Sequence, residues 1–91
     1  IMAVVKNNTL EITGTGTIIS SSVRIISIQA VANADNSEAV LTDSDGVVIA
    51  HFKSDETGKR SYAPLYLDRK RVEGVKCDVF TNMEKIIVHL G

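Results

Sequence analysis

The chain is built of short runs of β-branched residues, each interrupted within a few positions by turn formers, and this pattern excludes most folds at once. "TLEIT" at residues 9–13 alternates strictly, with Leu10 and Ile12 set against Thr9, Glu11 and Thr13. Alternation with a period of two places one set on each face of a pleated strand. No segment sustains the 3.6-residue period of an amphipathic helix. The residue counts agree: 11 Val, 10 Ile and 7 Thr stand against 5 Leu and 7 Ala. Branching at Cβ stiffens χ1 and suits a pleated surface. There is no Trp, and only two Phe and two Tyr, so the core has to be aliphatic.

Further strands are expected at 17–22, at an edge, and at 38–42, 47–52, 61–67, 72–80 and 85–91. The longest candidate is "VRIISIQAVANA" (23–34), whose pattern changes phase. Val23 and Ile25 share one parity, and Ile26, Ile28, Ala30 and Ala32 share the other. Such a slip predicts burial on both faces or a bulge near Ile25–Ile26. Pro64 assigns "SYAPLYL" to a sheet edge, because proline offers no amide to a ladder. Val75, Cys77 and Val79 are expected on one face, as are Ile86, Val88 and Leu90. "NADNS" (33–37) and "TNME" (81–84) read as turns, "KSDETGKR" (53–60) as a polar loop, and "DRKR" (68–71) as a connector. Ser37 leaves open a one-turn helix over "SEAVLT". Seven to eight short strands at about ten-residue spacing predict an all-β chain, a single small antiparallel β-sandwich or barrel over residues 1–91.

Charge and composition argue against several functions. The net charge of −1 gives no general attraction to nucleic acid or to an anionic membrane. The longest apolar run is far short of a membrane span. Cys77 is the one cysteine, so no intrachain disulfide can form. "IMAVVKNN" lacks the basic and apolar regions of a signal peptide, and Ile1 ahead of Met2 suggests Met2 as the natural start.

The best-defined local motif is "LTDSDGVVIAHF" (41–52). An EF-hand loop needs oxygen ligands at positions 1, 3 and 5, glycine at 6 and glutamate at 12. Counted from Asp43, only Asp45 follows suit; Val47, Val48 and Ser54 hold the other places. Asp45-Gly46 between apolar runs is instead a hairpin signal, since glycine tolerates positive φ and aspartate bonds its own backbone. No metal or cofactor is therefore expected. His51 and His89 oppose the apolar parity of their runs and are expected at the surface; a shared metal between them lacks an evident third ligand. Cys77 reads as a buried thiol without a neighbouring base. "GTGTIIS" has Ile19 where a dinucleotide fingerprint needs its third glycine, and it lacks the lysine of a phosphate loop. Arg69, Lys70 and Arg71 form a basic stretch that Lys59 and Arg60 could extend. That could make a small anion-binding patch, but Asp68, Glu73, Asp55 and Glu56 interrupt it and no aromatic stacking platform adjoins. It therefore reads first as a solvated face; a contact for an acidic protein partner is the better functional option. No constellation of side chains calls for an enzyme.

The succession of a strand starting "VRII", a "VLTDSDG" hairpin (40–46), an "APLYL" strand, "EGVKCDVF" (73–80) and a final "KIIVHL" resembles small all-β structural proteins of tailed-bacteriophage virions over residues 23–91. In that group a "VLTDxDG" hairpin precedes a late "EG(V/L)xxxxF" strand. The resemblance implies a capsid decoration or cement protein, or a head–tail or tail accessory subunit, assembled in the host cytoplasm and residing in the virion. It carries over no catalytic residue. Such a subunit would bind copies of itself as a trimer or dimer, and a larger capsid or tail protein. Asp43, Asp45, Gly46, Arg69, Lys70 and Arg71 are the candidate partner-binding residues. The alternative is a soluble carbohydrate- or ligand-binding β-module, against which the scarcity of aromatic side chains counts: Phe52, Tyr62, Tyr66 and Phe80 are all there are.

Overall fold

A computed structural model describes the backbone of residues 3–6 and the whole of residues 8–54 and 62–91. The alternating runs form strands: β1 (Ala3–Lys6), β2 (Thr9–Ile12), β3 (Gly16–Ile19), β4 (Val23–Ala32), β5 (Ser37–Thr42), β6 (Val48–Ser54), β7 (Leu65–Val72), β8 (Val75–Thr81) and β9 (Met83–Leu90). They make two antiparallel sheets, ordered β1-β2-β9-β4-β7 and β3-β8-β5-β6. The fold is a β-sandwich, as the strand spacing predicts, and not a closed barrel. The described residues hold nine strands; β1 is the one that the sequence pattern did not announce. "SEAVLT" is a strand and not a helical turn, because β6 and β8 pair with β5 on both sides.

Only β1–β2 and β5–β6 are joined within one sheet; the other described connections cross between sheets. The last crossing, from β8 to β9, turns on Asn82 alone, at φ 53°. Asparagine enters this left-handed region more readily than other side chains. Its side-chain amide donates to the Asp35 and Asn36 carbonyls at 3.0 and 3.3 Å, and its own carbonyl accepts from the Asn33 amide at 3.1 Å. The corner is thereby tied to the turn between β4 and β5.

The core is aliphatic. Leu10, Ile12, Ile25, Ile28, Leu41, Val75, Ile86 and Val88 are fully buried, and Ala30, Ala32, Ala39 and Ala50 are buried with them. Each large side chain removed from water contributes roughly 1.5–3 kcal/mol before entropy is counted.

Register shifts also lie between Thr17 and Ile19, Val31 and Ala32, and Leu41 and Thr42, but three other irregularities bear on the expected faces. In β4 the register shifts between Ile25 and Ser27 against both neighbours. Ile25 faces inward, and Ile26, grouped by parity with Ile28, is instead the extra residue and is 37% exposed. In β8 Val40 faces Val79 while Leu41 faces Cys77, so Asp78 is the extra residue. That insertion turns Val79 off the face of Val75 and Cys77 and turns Phe80 against the core. The third lies in β7, an edge strand as expected of "SYAPLYL", although it runs over Leu65–Val72 with Pro64 ahead of it and not within it. Leu67, Asp68 and Arg69 stand opposite Ile26 alone, and Asp68 and Arg69 have φ of 50° and 62°. "DRKR" is thus the second half of a strand and not a connector. The expected loop "KSDETGKR" lies outside the described residues beyond Ser54, as do Asp55, Glu56, Lys59 and Arg60.

Candidate partner-binding site

The Asp43 segment is a self-satisfied turn. Asp43 Oδ1 accepts from the amides of Asp45 and Val47, both at 2.9 Å. The Asp43 amide donates to the Val47 carbonyl at 2.9 Å, and the Gly46 amide to the Asp43 carbonyl at 3.1 Å. Gly46 has φ +83°, a conformation that favours glycine. The Asp43 carboxylate is therefore engaged within the hairpin, while Asp45 and Gly46 are exposed at its tip. Among the described residues, no three His, Cys, Asp or Glu are grouped as metal ligands would be.

Arg69, Lys70 and Arg71 are exposed on β7. Glu73 joins the two segments. Its carbonyl accepts from the Ser44 amide at 2.9 Å and also from the Ser44 hydroxyl. Its carboxylate lies 3.4 Å from Arg71 Nε. Gly74 makes this approach feasible: it has φ +98°, and a Cβ there would meet the Ile19 carbonyl at 2.9 Å as well as the Ser44 side chain. The hairpin tip and the basic stretch, apart in sequence, thus adjoin at one end of the sandwich.

Arg24 and Ser22, both at this end, were not foreseen. Arg24 is the direct cross-strand partner of Arg71. Arg24 Nη1 donates to the Arg69 carbonyl at 3.3 Å, and Arg71 Nη2 donates to the Ser22 hydroxyl at 3.3 Å. Arg24 and Arg71 both line an open depression of about 510 Å³, whose walls include Asn8, Ser22, Leu90 and Gly91. In the sequence Arg24 is one arginine at the head of an apolar run, and only strand pairing places it beside Arg71.

The other candidates fall elsewhere. His51 lies on β6 with Nε2 2.8 Å from Glu38 Oε2, an exposed pair of small energetic weight. His89 lies on β9, between Thr9 and Ser27. Both are exposed and face outward on opposite sheets, so they cannot share a metal ion. Cys77 is buried, and its Sγ donates to the Val79 carbonyl at 3.4 Å. Burial, and next the Asp78 carboxylate, raise its pKa from 9.0 to about 11, while a backbone contact with Val79 pulls the other way. Such a thiol is a poor nucleophile at neutral pH. Of the aromatic rings, Phe52 and Tyr62 are buried and Phe80 is half-buried; Tyr66 alone is exposed. No row of rings for sugar stacking exists among the described residues. Among them, too, no helix is long and apolar enough to cross a membrane. No family model, curated protein sequence or solved structure matches this chain.

Proposed function

We propose that the protein is a non-enzymatic structural subunit of a phage-like particle, a decoration, cement or head–tail accessory protein that acts by binding a larger capsid or tail protein. The observation that carries this reading is apolar surface that one thin sandwich leaves uncovered. Tyr66 is 74% exposed and Val47 61%, with Val48, Ile26 and Leu65 also open to solvent. Ile26, Leu65 and Tyr66 belong to the paired strands β4 and β7. Surplus apolar surface on a small domain suits contact with other subunits. Self-association into a closed trimer or dimer would cover part of it and would let several weak contacts engage one lattice together. Open-ended strand addition is disfavoured at β7, where arginines, a lysine and the left-handed Asp68–Arg69 pair interrupt the edge.

The test is mass spectrometry of purified particles, together with light scattering of the isolated protein. The expected results are stoichiometric copies of the chain in the particle and a dimer or trimer in solution. The double variant Arg69→Gln/Arg71→Gln is expected to weaken particle association with little change in melting temperature. Particles devoid of the chain would reject the virion reading, and normal association of the double variant would reject the basic stretch as the contact.

A further inference from the structure

We infer that the depression between Arg24 and Arg71 is an oxyanion-binding site, one that takes a carboxylate or phosphate group between the two guanidiniums. The argument starts from strand pairing. Arg24 and Arg71 are directly opposite on adjacent antiparallel strands. Like charges in that position repel and destabilise the pair, and a sheet has no need to place them there. Glu73 offsets only part of this charge. It lies beside Arg71 Nε at 3.4 Å, whereas Arg24 has no carboxylate partner among the described residues.

Two hydrogen bonds and one ion pair already made hold the forks in position without exhausting them. Arg24 uses Nη1 on the Arg69 carbonyl, and Arg71 uses Nε and Nη2 on Glu73 and Ser22. A guanidinium has five N–H donors in a rigid plane, so each side chain retains donors for a ligand. The forked geometry matches the two oxygens of a carboxylate or phosphate. The polar residues Ser22 and Asn8 belong to the same walls, and about 510 Å³ is ample for such a group. An anion seated there would offset the repulsion across the strand pair and gain two charge-assisted contacts.

This inference does not depend on the assembly reading, since it is tested on the isolated protein. Inorganic phosphate and malonate are titrated separately into the 15N-labelled chain, with sodium chloride at matched ionic strength as the control. The expected result is hyperbolic, saturating shifts confined to the amides around Ser22–Arg24, Arg71 and Gly91, for at least one of the two probes. The stronger probe identifies phosphate or carboxylate as the preferred group. Arg24→Gln and Arg71→Gln should each weaken binding about tenfold or more, and Arg24→Lys, which keeps charge but loses the fork, should weaken it less. Lys85→Gln, which removes an equal charge from β9, should leave the titration unchanged. Without added anion Arg24→Gln should melt no lower than the parent, because it relieves repulsion. Linear shifts equal to those with chloride, or equal weakening by Lys85→Gln, would overturn the site.

Discussion

The hydroxyl of Tyr62 lies 2.5 Å from that of Ser37, and both residues are buried. The same phenol also reaches the Ser37 carbonyl at 3.3 Å, and the ring meets Phe52 edge-on at 5.4 Å. Meanwhile the Tyr62 amide donates to the Ala30 carbonyl at 3.1 Å. Ser37 and Phe52 belong to one sheet and Ala30 to the other, so this residue fastens the two layers together. Tyr62→Phe should cost about 1–2 kcal/mol, because the Ser37 hydroxyl loses its buried partner. In a domain of this size that lowers the melting temperature by about 4–15 °C. Ser37→Ala should cost less than this, since the carbonyl contact survives. The double variant should lose less than the sum, by about 0.5 kcal/mol or more in urea denaturation. Strict additivity would show that the two hydroxyls are not coupled.

Cys77 should react slowly in the folded protein. With its pKa raised from 9.0 to about 11, the thiolate fraction near pH 8 is about a hundredfold smaller than for a free thiol, before steric shielding is added. Labelling with a thiol reagent should therefore be slow in buffer and fast in denaturant. The sign for stability follows from proton linkage. Between the two pKa values the folded state holds the proton that the unfolded state has released, so stability falls as pH rises. The contribution is intact below about pH 9 and is lost through pH 11. Cys77→Ala should show a shallower fall over this window than the parent; identical profiles would contradict the assignment.

Neighbouring isoleucines should differ sharply. Ile25 is fully buried, whereas Ile26 occupies the bulge and is partly exposed. Ile25→Ala should cost about 2–5 kcal/mol through lost burial and the cavity left behind. Ile26→Ser should cost about 1 kcal/mol or less. Chemical denaturation compares them directly, and equal losses would mean that the bulge is misplaced.

Asp43 should matter as a hydrogen-bond acceptor and not as a metal ligand. Asp43→Ala removes the acceptor for the Asp45 and Val47 amides and should cost about 1–2 kcal/mol. Asp43→Asn keeps a side-chain oxygen and should retain most of that stability. Calcium in excess, compared with chelator, should move the melting temperature by no more than about a degree. A larger rise, abolished in Asp43→Asn, would restore the metal reading.

Strand identity was legible wherever alternation stood uninterrupted. Leu10 and Ile12, or Ile86 and Val88, declare the inner face because each side of a pleat sees a constant environment. The slip near Ile25–Ile26 was visible as well, but parity could not say which residue is inserted. Nothing local marks Asp78 as an insertion, since only pairing with Val40 and Leu41 reveals it. The continuation of β7 through "DRKR" was obscured because that stretch pairs along only one side, where a charged edge pays no desolvation penalty. The candidate site was half legible. The Asp43 turn follows from local chemistry, but its union with Arg71 through Ser44 and Glu73, and the placing of Arg24, depend on contacts between distant strands.

The position of β9 bears on how the protein is made. Met83–Leu90 follows every other described strand in the chain, yet it lies in the interior of the first sheet, between β2 and β4. While a ribosome has synthesised only the residues before Met83, Leu10 and Ile28 both lack Val88, the partner that stands opposite each of them. The sheet at that stage is two fragments with adjoining open edges and unsatisfied amides. Its closure must await translation of β9 and then depends on contacts between strands far apart in sequence, which are slow to form. During that interval the nascent protein has the exposed strand edges that chaperones recognise, so its yield in the cell should be governed by the speed of this last insertion more than by the stability of the finished sandwich.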